Sequence, residues 1–262
     1  MGVVNVTPDS FSDGGVHLDP GLAVLSAQRM LDEGAAIVDV GGESTRPGAA
    51  AVSLDEELGR VLPVVEALAG RPVSIDTTKA EVARRALDLG VEMVNDVTAL
   101  RGDPELAGVV AGSGAYLCLM HMQGEPRTMQ VAPSYDDVVS EVASFLEERL
   151  GFAVTEGIPE ERICLDPGIG FGKTPDQNLE LVRRLDAIIV LGRPVLLGLS
   201  RKSTIARLLG DAEAHVGTDT ASVGAAVAAF SRGASIFRVH DVRSHVEALT
   251  AAAAVERGRV TA

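Results

Sequence analysis

Residues 73–97 read VSIDTTKAEVARRALDLGVEMVNDV, a stretch with the pattern of a strand, a helix and a second strand. The short apolar runs Val73–Ile75 and Met93–Val97 are typical of parallel strands that are buried on both faces. Between them, Thr78 and Glu81 have the spacing of a helix capping box. The stretch therefore predicts one βαβ unit.

The same unit recurs along the whole chain. Further short β-rich runs each precede a stretch with helical periodicity. Helix starts are predicted where a capping side chain precedes a proline, as at Asp19-Pro20, Asp103-Pro104 and Thr174-Pro175. Eight such units predict an α/β fold, a single (β/α)8 barrel domain over residues 1–262, with an open doubly wound sheet as the alternative. The further runs are Val3–Val6, Ala36–Val40, Ala115–Met120, Ile163–Leu165, Val195–Leu199 and Ser235–Val239.

Composition excludes several classes of protein. The chain has 23 Lys+Arg and 37 Asp+Glu, so its net charge is −14, and 46% of its residues are hydrophobic. These values are typical of a globular protein and argue against disorder and against nucleic-acid binding. The absence of a membrane-spanning run and of a basic signal region favours the cytoplasm. Cys118 and Cys164 lie in apolar runs and are expected to be buried thiols.

In a (β/α)8 barrel the active site lies where the strands end. Asp76 follows the third strand, Asn95 lies in the fourth and Asp166 follows the sixth. A carboxylate can accept hydrogen bonds from an amino group and a neighbouring ring N–H together, and an Asn offers both a donor and an acceptor. This set suits the edge of a guanine-like heterocycle better than a sugar. Alternatively, Asp166 could cap the turn that follows it, and Asp96 is a better candidate than Asn95 for a structural cap.

Cationic side chains are concentrated at the ends of the last two predicted strands. Arg201 and Lys202 follow the seventh strand, while Arg238 and His240 end the eighth. The loops after these strands are the usual phosphate-binding corner of the fold, so the cluster predicts an anion site. The alternative is that these side chains pair with carboxylates of the rim.

Two glycine-rich loops, 5–15 and 41–48, are expected to act as lids. Asn5 could bind a divalent cation through its carbonyl oxygen, with phosphates and water completing the shell. The GIGFGK segment at 168–173 lacks the spacing of a nucleotide-binding loop. His121 could contact a ligand or support the rim, whereas His17, His215 and His245 are expected at the surface.

Eight segments of the sequence, in order and at similar spacing, resemble the dihydropteroate synthase family. The resemblance covers essentially the whole chain, and its first, sixth and seventh segments are highly specific when taken together. The segments are NVTPDSFSDGG, DVGGESTRPGA, SIDT, NDV, MHMQGEPRTMQ, LDPGIGFGK, GLSRKS and FRVHDV.

The resemblance implies a TIM-barrel transferase of folate biosynthesis. Such an enzyme joins p-aminobenzoate to 6-hydroxymethyl-7,8-dihydropterin diphosphate, releases pyrophosphate, uses Mg²⁺, is inhibited by sulfonamides and usually forms a homodimer. The pterin would be held by Asp76, Asn95, Met120, Asp166, Lys202 and Arg238. The diphosphate and Mg²⁺ would be held by Asn5, Arg238 and His240. The p-aminobenzoate pocket would contain Thr45, Pro47, Phe171 and Ser203. The residues implied in turnover are Asp76, Lys202, Arg238 and His240, together with Asp13 and Arg46 of the two lids.

Two other functions remain open at this point. A methyltransferase that uses methyltetrahydrofolate would share the Asp and Asn strand ends, but it needs no diphosphate corner. A catalytically inactive pterin-binding paralogue would keep the site without the reaction. Neither of these proteins would release pyrophosphate.

Overall fold

The computed structural model of the protein describes residues 1–7, 19–45, 48–125, 128–210 and 216–258. Within these ranges, each of the eight predicted runs contains a strand, with small shifts of the ends. The strands are β1 (Gly2–Asn5), β2 (Val38–Gly41), β3 (Val73–Asp76), β4 (Met93–Asp96), β5 (Tyr116–Met120), β6 (Ile163–Asp166), β7 (Leu196–Leu197) and β8 (Ile236–Phe237). The helices are α1 (Pro20–Asp32), α2 (Leu54–Ala67), α3 (Ala80–Asp88), α4 (Leu106–Ser113), α5 (Val138–Thr155), α6 (Pro175–Arg183), α7 (Asp186–Ile189), α8 (Ser203–Leu208), α9 (Asp219–Phe230) and α10 (Val242–Arg257).

The strands close into a ring. β1 to β6 form one parallel sheet in chain order, and β7 pairs in parallel with β8. Parallel bridges join Leu165 to Val195 and Gly2 to Val239, which connects β6 to β7 and the end of β8 back to β1. The predicted (β/α)8 barrel is therefore confirmed, and the open sheet is excluded.

The inside of the barrel is filled by a small apolar cluster that is separate from the large core between strands and helices. Met93, Cys118, Cys164 and Leu196 are its buried members, and they come from four different strands. Both cysteines are free and buried, as predicted. Because this cluster closes the barrel interior, ligands have access to the strand ends rather than to a pore.

Helix starts follow local side-chain chemistry only in part. The Asp19 side chain accepts a hydrogen bond from Gly21 N, and Thr174 forms a complete capping box at α6, as predicted for both sites. The capping box predicted at Thr78 is wrong, because α3 begins at Ala80, whose N–H is bound by the side chain of Asp103 at 2.9 Å. In the part of the chain that the structure describes, no helix is long and apolar enough to cross a membrane.

Candidate active site

The strand register brings the predicted polar residues to one rim of the barrel. Asn5 of β1 pairs with Gly41 of β2, and Gly41 pairs in turn with Asp76 of β3. Asp76 pairs with Asn95 of β4. A Cβ atom added to Gly41 would lie 3.3 Å from the Cβ of Asp76, so glycine leaves space beside this carboxylate. These strand ends are therefore neighbours at the carboxyl rim.

Arg238, which directly follows β8, lies at the charged centre of the rim. Its Nε donates to Asp39 Oδ2 at 2.7 Å, and its Nη2 donates to Asp76 Oδ2 at 2.9 Å. Asn95 Nδ2 donates to the same Asp39 oxygen at 3.0 Å. One guanidinium thus joins two carboxylates across the barrel. The interpretation in which Arg238 pairs with rim carboxylates is confirmed, and these bonds occupy two of its five N–H groups.

Burial sets the charge states at this centre. It raises the pKa of Asp76 to about 7, an effect that Arg238 opposes and Asp39 reinforces. Burial would lower the pKa of Arg238, but Asp39 and Asp76 outweigh it and raise that pKa above its ordinary value. Arg238 therefore stays charged while Asp76 titrates near neutral pH. A ligand that donates hydrogen bonds to Asp76 would favour its carboxylate form.

Asp166 lies at the end of β6, where it pairs in register with Met120 of β5. Its Oδ1 accepts a hydrogen bond from Gly168 N at 2.7 Å, so the alternative in which Asp166 caps the following turn is confirmed. Burial raises the pKa of Asp166, and Lys202 opposes that shift. Asp96 is also a cap, because its carboxylate accepts hydrogen bonds from Thr98 and from Leu100 N.

Lys202 connects the end of β7 with the turn after β6. Its ammonium donates to the carbonyl of Ile169 and lies 4.6 Å from the centroid of the Phe171 ring, a cation–π contact. Burial lowers the pKa of Lys202 to about 8, while Asp166 opposes that shift. Met120 is in the buried apolar cluster against which Phe171 packs. The predicted residues Met120, Asp166, Phe171 and Lys202 are thus brought together on one side of the rim.

The predicted phosphate corner lies at the ends of β7 and β8. Ser200 Oγ is 3.0 Å from His240 Nδ1, and the His240 N–H donates to the same hydroxyl at 3.2 Å. Arg201 makes a bidentate ion pair with Asp219, in which Nε donates to Oδ1 at 2.7 Å and Nη2 donates to Oδ2 at 2.9 Å. For Arg201 the pairing interpretation is therefore confirmed, whereas His240 is fixed beside a hydroxyl. Ser203 is the first residue of α8.

The two predicted lids are described only in part. Thr45 is partly buried in the second of them. Asp13, Arg46 and Pro47 lie outside the described residues, and so do His17 and His215.

A buried carboxylate lies beneath the second lid. Glu57 of α2 accepts a hydrogen bond from Thr77 Oγ1 at 2.6 Å and is also paired with Lys79. Lys79 contacts Glu43 as well, whose Oε1 accepts a hydrogen bond from Val52 N at 3.1 Å. Burial would lower the pKa of Lys79, but its bonds to Glu43 and Glu57 raise it. The cluster connects α2 and the end of β3 to Glu43 in the lid and, through Val52, to the segment that follows the lid.

His121 supports the rim from behind. Its side chain is buried, and its Nδ1 lies 2.8 Å from Lys173 Nζ, so the supporting role predicted as one of two alternatives is present. His245 is also buried, and its Nδ1 lies 2.6 Å from the carbonyl of Asp241. The expectation that His245 is exposed is wrong, because its ring folds back onto the first turn of α10.

Three buried charged residues of this region were not singled out from the sequence: Asp39, Glu57 and Lys173. An acid inside the apolar run of β2 is itself a signal, since a carboxylate cannot be buried there without a partner. Glu57 precedes Val61 by one helical turn on the buried face of α2, which is a weaker signal. Lys173 ends the GIGFGK segment, which indicates a glycine-rich turn but not a buried ammonium.

Asn5 is the predicted metal ligand. It is partly buried at the end of β1, and its amide makes no hydrogen bond to another described side chain. Among the residues that the structure describes, no group of three His, Cys, Asp or Glu side chains could hold a metal ion. Protein sites for Mg²⁺ often supply only one or two ligands, with substrate phosphates and water providing the others. A single amide oxygen at the end of β1, a strand that is bridged to the end of β8, fits that pattern.

Comparison with known proteins adds independent information. A family model described as pterin binding enzyme matches residues 1–240. Dihydropteroate synthase of Escherichia coli strain K12 is 49% identical over 254 residues, which cover 95% of this chain and 88% of that protein.

Solved structures agree with these matches. Yersinia pestis dihydropteroate synthase in a sulfonamide drug complex superposes with a TM-score of 0.92 at 43% identity, covering 98% of this chain and 94% of that one. The Xanthomonas albilineans dihydropteroate synthase in complex with 7,8-dihydropteroate gives a TM-score of 0.84 at 44% identity, covering 98% and 92% of the two chains.

Proposed function

The chain belongs to the pterin-binding enzymes and, among them, to the dihydropteroate synthase family, and we propose that it condenses p-aminobenzoate with 6-hydroxymethyl-7,8-dihydropterin diphosphate, releasing pyrophosphate in folate biosynthesis. It is a transferase with small-molecule substrates. The observation that carries the assignment is the rim itself, where Arg238 pairs with the carboxylates of Asp39 and Asp76 and where His240 lies beside Ser200. Acids suit a heterocycle with N–H donors, and cations suit a departing diphosphate.

The pterin occupies the acidic side of the rim in this proposal. Asp76 and Asp166 accept hydrogen bonds from the ring and its amino group, while Asn95 supplies a donor and an acceptor. The support is their burial, because a desolvated carboxylate gains most from a ligand that donates to it. Lys202 donates to a ring acceptor, Met120 packs nearby and Arg238 stacks on the face of the ring.

The diphosphate occupies the corner formed by Asn5, Arg238 and His240. Asn5 would bind Mg²⁺ there, and the bound ion would neutralise phosphate charge. Asp13 and Arg46 act in turnover as residues of the two lids.

The p-aminobenzoate lies beside the turn after β6, in a pocket made by Thr45, Pro47, Phe171 and Ser203. Phe171 supports this assignment because its ring is held in place by the Lys202 ammonium at 4.6 Å. Sulfonamides, which resemble p-aminobenzoate in shape, compete for the same pocket.

Catalysis needs positioning and charge stabilisation rather than a covalent intermediate. The C–O bond to the diphosphate breaks, its electron pair stays on the pyrophosphate, and Arg238 and His240 stabilise that charge. Positive charge develops on the pterin methylene near the carboxylates of Asp76 and Asp166. The amine nitrogen of p-aminobenzoate then forms the new C–N bond and loses a proton to solvent. Because this amine is a poor nucleophile, holding it in line is the main task of its pocket.

The proposal extends to the state of the whole protein. We assign residues 1–262 to one domain that forms a homodimer, acts in the cytoplasm and binds neither nucleic acid nor a membrane. Cys118 and Cys164 are buried free thiols, the state expected of cysteines in a reducing compartment.

Pyrophosphate release from the purified protein tests the function. With both substrates and Mg²⁺ we expect release that depends on p-aminobenzoate and stops when a sulfonamide is added. The Asp76→Ala variant should lose pterin binding and turnover together. A protein that binds the pterin but releases no pyrophosphate would be an inactive paralogue. Methyl transfer from methyltetrahydrofolate without pyrophosphate would identify the methyltransferase instead.

A further inference from the structure

We infer that Lys173 is a positioning residue for the p-aminobenzoate half of the site, because its buried ammonium fixes the turn that carries Phe171. The inference rests on the proposed function, which places p-aminobenzoate beside Phe171. Lys173 does not contact the substrates in this proposal, and it acts through main-chain carbonyls of the turn 168–172.

The ammonium of Lys173 has a complete set of acceptors. The side chain is only 2% exposed, and its Nζ lies 3.0 Å from the carbonyl oxygens of both Gly168 and Phe171. Its third partner is His121 Nδ1 at 2.8 Å. A lysine ammonium has three N–H donors, so the three acceptors satisfy it fully. Burial lowers the pKa of Lys173 to about 7, an effect that Asp166 opposes. In the charged form of Lys173, this arrangement requires that His121 is neutral and carries its proton on Nε2.

The surroundings of His121 keep its Nδ1 unprotonated, so that it can accept the hydrogen bond from Lys173. The pKa of His121 is lowered to about 3, chiefly by burial and also by the nearby cations Lys173 and Arg101. The edge of its ring meets Phe145 with the centroids 4.8 Å apart, which fixes the ring plane. The imidazole is therefore a fixed neutral acceptor and not a titrating group of the reaction.

The turn depends on side chains because its backbone is irregular. Gly168, Gly170 and Gly172 have φ values of 67°, 83° and 66°, so their carbonyls cannot join a helix or strand ladder. A Cβ atom at Gly168 would lie 1.8 Å from the carbonyl oxygen of His121, which shows how closely the turn packs on β5. Buried carbonyls without partners are costly, and here side chains supply the partners.

Each carbonyl of the turn accepts a hydrogen bond from a side chain, and the Gly168 carbonyl also accepts one from Phe171 N at 3.0 Å. Gln130 Nε2 donates to Gly170 at 2.6 Å, and the Tyr135 hydroxyl donates to Gly172 at 2.8 Å. Lys202 donates to Ile169, and Lys173 holds the remaining two carbonyls. Lys173 is the donor of this set that fixes Phe171 directly, and it is also the most buried of them.

Loss of this ammonium should act on one substrate more than on the other. Phe171 would lose the donor to its carbonyl and keep only its N–H bond to Gly168 and its ring contact with Lys202, so this wall of the p-aminobenzoate pocket would be less firmly placed. Asp76 and Asn95, which we assign to the pterin, belong to β3 and β4 and are held by Arg238 and Asp39. Asp166 and Lys202, which we also assign to the pterin, are hydrogen-bonded to the turn at Gly168 N and at the Ile169 carbonyl, and Lys173 binds neither of these groups. The expected signature is therefore a rise in KM for p-aminobenzoate with little change in pterin binding.

The test compares Lys173→Met with two substitutions of its partner. Lys173→Met and His121→Leu should each raise KM for p-aminobenzoate about tenfold, since each leaves buried polar groups unpaired. His121→Asn places an amide oxygen near the position of Nδ1 and should keep KM within about threefold of the wild-type value. The Kd of the pterin diphosphate, measured by calorimetry without p-aminobenzoate, should change less than about threefold in all three variants.

Arg149→Met is the matched control. Arg149 is another buried cation that donates to main-chain carbonyls, those of Ala99 and Leu100, but in the turn after β4. This variant should lose stability without a selective rise in KM for p-aminobenzoate.

Several results would overturn the inference. Parallel changes in KM for p-aminobenzoate and in pterin Kd would show a general structural role, and unchanged values would show no role. If Lys173→Met fails to fold, equal behaviour of His121→Asn and His121→Leu would refute the inference. A wild-type protein that releases no pyrophosphate would refute the proposed function and this inference with it, whereas an active wild type with unaltered variants refutes the inference alone.

Discussion

Asp39 offers the sharpest test of the charged centre, through the substitution Asp39→Asn. Its side chain is fully buried, and one oxygen accepts hydrogen bonds from Arg238 at 2.7 Å and from Asn95 at 3.0 Å. The other oxygen, Oδ1, has no hydrogen-bond partner among the described residues. Asparagine keeps the shape and one acceptor oxygen but removes the negative charge.

The expected loss follows from these contacts. A hydrogen bond to a charged group stabilises by about 1.5–3 kcal/mol and a neutral one by about 1 kcal/mol, so two weakened bonds cost about 2 kcal/mol. The new amide nitrogen would replace Oδ1, where it would be a buried donor without a partner, which adds roughly 1 kcal/mol. We therefore expect the free energy of unfolding to fall by about 2–3 kcal/mol. The affinity for the pterin should fall as well, because Arg238 loses its charged hydrogen bond to Asp39.

Urea unfolding at neutral pH measures this loss by linear extrapolation. Ser74→Ala is the matched control, since Ser74 is the register partner of Asp39 and its buried hydroxyl has no partner in the described part of the chain. Removing that hydroxyl should change stability by less than about 0.5 kcal/mol. If Asp39→Asn were as stable as Ser74→Ala, the charge of Asp39 would not hold the centre together.

Three further predictions concern the same rim and its supports. Burial raises the pKa of Asp76 from 3.8 to about 7 in the folded state, so between these pH values the folded protein holds a proton that the unfolded chain has lost, and the stability of the wild type relative to Asp76→Asn should decrease as pH rises from about 4 to about 7. Urea unfolding as a function of pH would contradict this if the difference in unfolding free energy between the two proteins did not change with pH. Lys79→Met should lower the free energy of unfolding by about 3–5 kcal/mol because it leaves the buried Glu57 without its ion-pair partner, and adding Glu57→Gln should restore part of the lost stability. A double variant no more stable than Lys79→Met would disprove the pairing. Gly168→Ala should greatly raise KM for p-aminobenzoate or prevent folding, since the Cβ of the new alanine would lie 1.8 Å from the carbonyl oxygen of His121. A fully active, stable variant would show that the turn is not tightly packed.

The barrel itself could be predicted from the sequence because buried parallel strands are short apolar runs. The run at Met93–Val97, for example, contains β4, and its polar positions fall at the strand end where the barrel fold needs them. The spacing of apolar residues and the order of the runs along the chain are enough to predict the barrel, since neither depends on contacts between distant segments.

Long-range partners could not be predicted in this way. Asp39 and Arg238 are 199 residues apart in the chain, and nothing local in either segment identifies the other residue as its partner. The start of α3 was misplaced for a similar reason, because its first N–H is bound by Asp103, 23 residues further on, and not by a neighbour in sequence. Lys173 is a third case, since only the folded turn shows that its ammonium is enclosed by carbonyls and His121.

A crystal structure of this protein with 6-hydroxymethyl-7,8-dihydropterin diphosphate tests the central claim most directly. We predict that the Asp76 and Asp166 carboxylates lie within hydrogen-bond distance of the pterin nitrogens, and that Arg238 and His240 lie beside the diphosphate. An empty rim, or a ligand whose diphosphate points toward Asp76 and away from His240, would contradict the account.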